Sequence, residues 1–133
     1  MTTCVRLRVA AEMYAMPVRY VLEVTPLGEV VAVPGARPEI LGIRNLRGQI
    51  LPVVDLATLL GIQRTAPAGR LLVAADDVRR AAFTIDEMAD VTELGEPTQE
   101  TESTLLLGAV LTETDLIGVI NVPKVFNILE RPS

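Results

Sequence analysis

The sequence predicts a mainly β protein: two small five-stranded barrels packed on a shared hydrophobic core, with short helical turns. Three observations support this fold class. Hydrophobic residues make up 50% of the 133-residue chain and aromatic residues only 3%, so branched aliphatic side chains must fill the core, which suits strands. Short apolar runs alternate with turns rich in Gly and Pro. Much of the sequence also recurs about 66 residues later.

The chain opens with a predicted β-hairpin. Residues 5–9 alternate apolar and charged side chains, which is typical of a strand with one solvent-facing side, and residues 13–18 are predicted to pair with them. A third strand is predicted over residues 21–24. The turn-rich residues 25–29 and the Pro- and Gly-containing residues 33–40 are predicted to be a connecting loop with one helical turn before Gly42.

A second hairpin is predicted over residues 42–54. Its turn is formed by Arg47 and Gly48, where Gly48 supplies the positive φ that a tight hairpin needs. Pro52 has no N–H to donate, which predicts that the second strand lies at a sheet edge or carries a bulge. Asp55 is predicted to cap a short helix over residues 56–60 that ends at Gly61.

The second half of the chain contains more strands. Residues 63–69 are predicted to be a linker, and three strands follow over residues 70–75, 80–85 and 88–94. Residues 95–104 form an acidic loop that contains a proline.

An internal repeat relates the two halves. Residues 41–61 align without a gap to residues 107–127, and residues 21–29 align to residues 88–96 at a shift of 67. Apolar strands can match by chance, but two collinear matches at nearly one shift favour a duplication. The alignment places Asp55 on Asn121 as a second helix cap and Gly61 on Asn127 as a second helix stop. Each repeat holds about five short strands, enough for a small barrel, so residues 1–133 are predicted to be one domain of two pseudo-repeated subdomains.

The composition excludes several classes of function. A net charge of −5 and a pI near 4.7 disfavour nucleic acids and anionic membranes. The absence of histidine removes the usual general base and the commonest metal ligand, and Cys4, the single cysteine, has no partner for a disulfide. The sequence has no signal-peptide pattern and no apolar run near the ~18 residues of a membrane span. We therefore expect a cytoplasmic, non-catalytic protein without metal or cofactor.

Asp86, Glu87 and Asp90 are the best candidates for an enzymatic site, because clustered carboxylates can share a proton or hold a hard cation. A solvated strand end in an acidic protein explains them more simply. Cys4 is expected to be a small buried or edge residue, and the Asp76–Asp77 pair a turn. A small enzyme using the carboxylates, or a small-barrel module that binds a metabolite, stays open as an alternative class.

The segment GIRNLRGQILPVVDLATLLGI, residues 42–62, resembles the signature of the CheW-like domain family, in which a Gly-x-x-Asn-Leu-Arg-Gly hairpin runs into an Ile/Val-Pro-Val-x-Asp-Leu strand. The segments RLRVAAEMYAMPVRYVLEV, AFTIDEMADVTEL and LLLGAVLTETDLIGVINVPKVF are similar to other parts of the family, so the resemblance covers almost the whole chain. It implies two five-stranded barrels of SH3-like shape, in agreement with the repeat. Arg44, Asn121 and Pro123 depart from the usual family pattern.

The resemblance implies an adaptor of bacterial chemosensory arrays. The implied partners are the regulatory domain of a CheA-type histidine kinase, the cytoplasmic hairpin tip of chemoreceptors, and other CheW-like domains in rings, all at membrane-associated arrays. In the family, the residues that match Glu23 and Arg47 lie near one another on the receptor-recognition surface. The receptor-binding residues expected here are Val21, Glu23, Val24, Ile43, Asn45, Leu46 and Arg47, with Gly42 and Gly48 required by the backbone geometry. Those expected to bind the kinase are Val53, Asp55, Leu56, Leu59 and Leu60.

Within the adaptor class, the pathway stays open. The protein could serve flagellar chemotaxis, pilus motility or another chemosensory pathway, and the sequence does not separate these.

Overall fold

The computed structural model describes residues 1–64 and 66–131, which form ten strands, two α-helices and one 3-10 turn. In chain order these elements are β1 (Thr2–Val9), β2 (Glu12–Pro17), the 3-10 turn (Val18–Tyr20), β3 (Val21–Pro26), β4 (Ile40–Leu46), β5 (Gln49–Val54), α1 (Leu56–Leu60), β6 (Arg70–Ala75), β7 (Arg80–Ile85), β8 (Glu87–Leu94), β9 (Leu106–Leu111), β10 (Leu116–Ile120) and α2 (Val122–Leu129). Every strand predicted from the sequence is present, with its ends shifted by a few residues at most.

The strands form two five-stranded sheets with the same arrangement. The first sheet has the order β8-β1-β2-β10-β9 and the second β3-β6-β7-β5-β4. Neighbouring strands are antiparallel except for the parallel pairs β2–β10 and β5–β7. In each sheet, the chain that leaves one edge strand forms a bridge to the other edge strand, Val31 with Ile43 and Gln99 with Ala109, which curls the sheet towards a barrel. The predicted mainly β fold with two small barrels is confirmed.

Each sheet contains strands from both repeats. The first sheet takes β1 and β2 from the first repeat and β8, β9 and β10 from the second, and the second sheet reverses this division. The sequence had led us to expect one barrel per repeat. The structure corrects that expectation, since the last three strands of each repeat pair with the first two strands of the other.

Two glycines at equivalent positions of the repeat have similar backbone conformations and the same kind of close contact. Gly42 and Gly108 are 66 residues apart and have φ values of +154° and +139°. A Cβ on Gly42 would lie 2.1 Å from the Val31 carbonyl oxygen, and one on Gly108 would lie 2.9 Å from the Gln99 carbonyl oxygen. Only glycine allows the bridging backbone to approach so closely, so both glycines serve the closure of their barrels.

The core has one shared part and two barrel interiors. The shared part joins residues of both sheets and both helices, among them Leu7, Met16, Phe83 and Phe126. Cys4 and Ile117 belong to the interior of the first barrel, and Leu51, Val53 and Val73 to that of the second. The predicted packing of two barrels on a shared aliphatic core is therefore confirmed.

Pro52 lies on an inner strand, so the edge position expected for β5 is wrong. The β4–β5 ladder does carry a register shift, between Ile40 and Gly42 on β4. β5 lies between β4 and β7, but its pairing with β7 involves Val53 and Val54 only. Pro52 precedes this short ladder, so its missing N–H leaves no gap in the pairing.

The ends of the helices differ partly from the predictions. Gly61 ends α1 in the left-handed conformation with φ +73°, as predicted. Asp55 precedes α1 but makes no side-chain cap bond, whereas Asn121 accepts a hydrogen bond from the Lys124 N–H at the start of α2. Asn127 does not stop α2, which continues to Leu129.

Two predicted connections have different outcomes. The helical turn expected before Gly42 is absent, because residues 27–39 contain only turns and the Val31 bridge. The linker predicted over residues 63–69 includes Thr65, which lies outside the described residues.

Candidate functional site

Glu23 and Arg47 form a bidentate ion pair on the surface of the second barrel. Arg47 Nη1 donates to Glu23 Oε2 at 2.5 Å and Nη2 donates to Oε1 at 2.9 Å. The hydrogen bonds from Arg47 lower the pKa of Glu23 below its ordinary value, and those from Glu23 raise the pKa of Arg47. The Arg47 side chain is still 71% exposed, so it is accessible to a partner while it holds the glutamate. The proximity that the resemblance implied for this pair is present.

The ion pair joins the two edge strands of the second sheet. Glu23 lies on β3 and Arg47 follows β4, and these strands are the opposite edges of the sheet. Since edge strands have no neighbour on one side, contacts between them determine the spacing at which the barrel closes. The pair therefore lies on the seam of the barrel, which is the line where the edge strands β3 and β4 face each other.

The β4–β5 turn presents Arg47 through an uncommon backbone conformation. Arg47 has φ +52° and Gly48 has φ +83°, the two positive values of a type I′ hairpin turn. The Asn45 side-chain oxygen accepts a hydrogen bond from the Gly48 N–H at 2.9 Å. Asn45 therefore acts on the turn itself, and the predicted positive φ of Gly48 is confirmed.

The four apolar residues of the expected receptor set lie on different sides of the second sheet. All are half-buried. Val21 and Val24 pack against the shared core, whereas Leu46 packs against the interior of the second barrel. Ile43 pairs with Pro52 and with the bridging residue Val31. Val21 and Val24 therefore contact a different part of the core from Leu46.

Two of the five expected kinase-binding residues are interior. Val53 is 0% exposed in the second barrel and Leu56 is 1% exposed in the shared core, so neither side chain can contact a partner. This corrects the expectation for these two residues, which followed from the family resemblance and did not take into account which side chains of the segment are buried. Leu59 and Leu60 are half-buried, and Asp55 accepts a hydrogen bond from Thr58.

A groove at the junction of the two barrels was not predicted from the sequence. The groove has a volume of about 810 Å³ and lies between the 3-10 turn, the β6–β7 turn and the start of α2. Its lining residues are Arg19, Tyr20, Leu22, Ala75, Asp76, Asp77, Val78, Arg80 and Pro123. Val78 is 87% exposed at the β6–β7 turn, which Asp76 braces by accepting hydrogen bonds from two backbone N–H groups. The feature of the sequence that could have indicated this groove is Val78, an apolar residue in a turn.

Two lining residues of the groove are linked to neighbours of the ion pair. Leu22, in the groove, directly precedes Glu23 on β3. Arg80, on the other side of the groove, donates a 2.6 Å hydrogen bond to the side chain of Gln49, which follows the Arg47–Gly48 turn. Glu23 and Arg47 themselves do not line the groove.

The carboxylates of the enzymatic alternative are separated by arginines. Asp86 contacts Arg64 and the Ala10 N–H, and Asp90 makes a bidentate pair with Arg6 at 2.7 and 2.8 Å. Burial raises the pKa of Asp86, but its hydrogen bonds from Arg64 and Ala10 outweigh this effect and lower it overall. A proton-sharing pair would require a raised pKa. Within residues 1–64 and 66–131, no group of acidic or cysteine side chains has the arrangement of a metal site.

Cys4 is buried in the first barrel, as expected, and burial is the main cause of its raised thiol pKa. A raised pKa reduces the thiolate fraction and hence the reactivity of the thiol. No helix in the described part of the chain is long and apolar enough to cross a membrane.

The fold and the candidate site define a small β protein of two SH3-like barrels. An exposed groove at their junction is lined by apolar and charged side chains. The chain belongs to the CheW-like domain family, whose family model matches residues 3–130. A probable chemotaxis protein CheW from Rhizobium etli is 27% identical over 92% of this chain and 86% of that relative. The chemotaxis protein CheW from Rhizobium meliloti is 26% identical over 93% of this chain and 86% of that relative.

A solved structure agrees with these sequence relatives. The scaffolding protein TtCheW from Thermoanaerobacter tengcongensis superposes with a TM-score of 0.81 at 26% identity, over 90% of this chain and 88% of that one. The family and these relatives together support a chemotaxis adaptor.

Proposed function

We propose that the protein is a non-catalytic, cytoplasmic adaptor that couples chemoreceptors to a CheA-type histidine kinase in a chemosensory array. The single observation that carries this proposal is the exposed Glu23–Arg47 pair beside the groove at the barrel junction. The pair resembles the receptor-recognition pair of the family in its residues and in its proximity. The family membership supplies the partners.

The groove suits an amphipathic helix, such as one arm of a receptor hairpin tip. A helix docks through apolar residues spaced three or four apart, which need a shallow apolar channel with polar margins. Tyr20, Leu22 and Val78 supply apolar surface, and Arg19 and Arg80 supply positive charge. The Glu23–Arg47 pair at the margin would fix the orientation of the helix and favour its encounter, since exposed charge pairs contribute more to specificity than to stability.

A second surface would bind the regulatory domain of the kinase. Asp55, Leu59 and Leu60 are the members of the expected kinase set that reach the surface in part. An adaptor that holds both partners couples them through differential contacts with the active and inactive arrangements and needs no chemistry of its own.

Calorimetric titration of the purified protein tests the proposal. The titrants are the regulatory domain of the CheA-type kinase from the same organism and a receptor hairpin fragment. We expect micromolar binding to both, with Glu23→Ala and Arg47→Ala folded but weaker towards the receptor only. Glu100→Ala, in the β8–β9 loop, and Arg70→Ala, on β6, change exposed residues and are the matched controls. Absence of binding to both partners would refute the adaptor function.

A further inference from the structure

Arg44 bridges the two edge strands of the second sheet. It belongs to β4, but its Nη1 donates a 2.8 Å hydrogen bond to the Pro26 carbonyl oxygen at the end of β3. Its guanidinium also lies against Gly28, where an added Cβ would stand 2.6 Å from Arg44 Cζ. These two contacts hold the side chain across strands that do not pair with each other. An arginine that departs from the family pattern therefore has a defined structural position.

The first barrel provides an internal comparison for this arrangement. In the repeat, Arg44 corresponds to Val110 and Gly28 corresponds to Gly95. Val110 is half-buried and packs against the interior of the first barrel. A Cβ on Gly95 would meet only the Met1 sulfur, at 3.9 Å. An aliphatic residue thus satisfies the fold at this position, so the folding of the barrel does not by itself require an arginine.

Arg44 acts on the same seam as the Glu23–Arg47 pair. The hydrogen bonds from Arg47 are the main cause of the lowered pKa of Glu23, and the positive charges of Arg47 and Arg44 lower it further. Glu23 and Arg47 come from opposite edge strands, so their bidentate geometry depends on the spacing of those strands. Arg44 joins β4 to the end of β3 three residues before Arg47.

We infer that Arg44 is a positioning residue for receptor recognition: by clamping β4 to the end of β3 over Gly28, it holds Glu23 and Arg47 in the orientation that a receptor helix meets. This inference rests on the proposed receptor-binding function. It requires no contact between Arg44 and the receptor, since residues that hold a binding group in place change affinity without touching the ligand.

Two variants test the inference. Arg44→Val reproduces the residue of the first barrel and removes the clamp and the charge. Arg44→Lys keeps the charge but lacks the planar guanidinium that lies on Gly28 and donates to Pro26. Urea unfolding establishes that both variants fold, NMR titration gives the pKa of Glu23, and calorimetry gives the affinity for the receptor fragment and for the kinase domain.

We expect both variants to bind the receptor fragment about fivefold more weakly and to bind the kinase domain with unchanged affinity. In Arg44→Lys the pKa of Glu23 should rise although the charge is retained, which a purely electrostatic or purely structural role would not produce. Unchanged receptor affinity together with an unchanged Glu23 pKa in Arg44→Lys would overturn the inference. If the wild-type protein binds no receptor fragment, the proposed function fails, and the Glu23 pKa in Arg44→Lys still decides whether Arg44 positions the pair.

Discussion

Phe83 of β7 and Phe126 of α2 meet edge to face, with ring centroids 6.1 Å apart and ring planes at 68°. They are the two phenylalanines of the chain, and both are buried in the shared core. The contact ties the second sheet to the helix that follows the first sheet. The Arg79 guanidinium lies over the Phe126 ring, 5.2 Å from its centroid. A chain with few aromatic residues therefore uses a pair of them where its two barrels join.

Removal of the Phe83 ring should destabilise the whole molecule. Phe83→Ala is expected to lower the free energy of unfolding by about 3–5 kcal/mol, because it deletes buried contacts and leaves a cavity in the shared core. Phe83→Leu should cost clearly less, since it refills most of that space. Urea unfolding measures both. Separate transitions for the two barrels in Phe83→Ala would contradict a shared core that unfolds as one unit.

The barrel closures should tolerate no side chain at their crossing points. Gly42→Ala is expected to cost about 3 kcal/mol of stability, because its Cβ would lie 2.1 Å from the Val31 carbonyl oxygen. Gly48→Ala, at φ +83° with open space around it, should cost only about 1 kcal/mol. Thermal and urea unfolding of the two variants measure these two losses of stability. Equal costs would show that backbone conformation alone, and not the close approach, explains Gly42.

The Arg64–Asp86 ion pair should contribute stability that acid removes. The pKa of Asp86 is lowered in the folded protein, so the unfolded chain binds the proton more tightly. The stabilisation is therefore present above the ordinary aspartate pKa of about 3.9 and is lost as the pH falls through the folded pKa. Asp86→Asn should be less stable than the wild type at pH 7 and should approach it at low pH. Urea midpoints measured at several pH values test this, and a constant difference would contradict it.

A charge introduced into the groove should weaken receptor binding without a loss of protein stability. Val78→Asp places a carboxylate beside Asp76 and Asp77 at an exposed turn, so its effect on unfolding should stay within about 0.5 kcal/mol. Its binding to the receptor fragment should weaken about tenfold, because a charge in an apolar contact must be desolvated. Leu111→Asp, on the exposed β9 of the first sheet, is the matched control. Equal affinity of both variants would place the receptor elsewhere.

Local patterns were sufficient to predict most of the secondary structure. The alternation in β1, the Gly48 turn and the Gly61 helix stop each depend on a few neighbouring residues, and all three are present. The stop expected at Asn127 was wrong because asparagine is only a permissive terminator, and α2 remains helical through Leu129.

The pairing of strands and the covering of their faces could not be read from local patterns. Pro52 was expected at an edge because its missing N–H was considered without the register of β5 against β7, which begins one residue later. Val53 and Leu56 were assigned to a partner surface because an apolar residue that packs in the core and one that packs on a partner look alike in a sequence. Only the tertiary structure reveals that both are interior.

Part of the candidate site could likewise be predicted from the sequence, and part of it could not. Glu23 and Arg47 were expected together because of the family resemblance, and their bidentate geometry is present. The groove was missed because residues 19–22, 75–80 and 123 come from three separated segments that no motif connects. The contact of Arg44 with Gly28 likewise needs the three-dimensional course of β3 and β4.

The exchange of strands between the repeats determines when this protein can fold during its synthesis. β1 has to wait for β8, and β2 for β10, before the first sheet is complete. The first barrel therefore cannot close until β10, which ends at Ile120, has left the ribosome, whereas the strands of the second barrel all lie within residues 21–85. Long-range pairing of this kind slows folding and increases the need for chaperones. The topology that joins the two barrels in one core thus also makes the completion of the first barrel a late step in the synthesis of the chain.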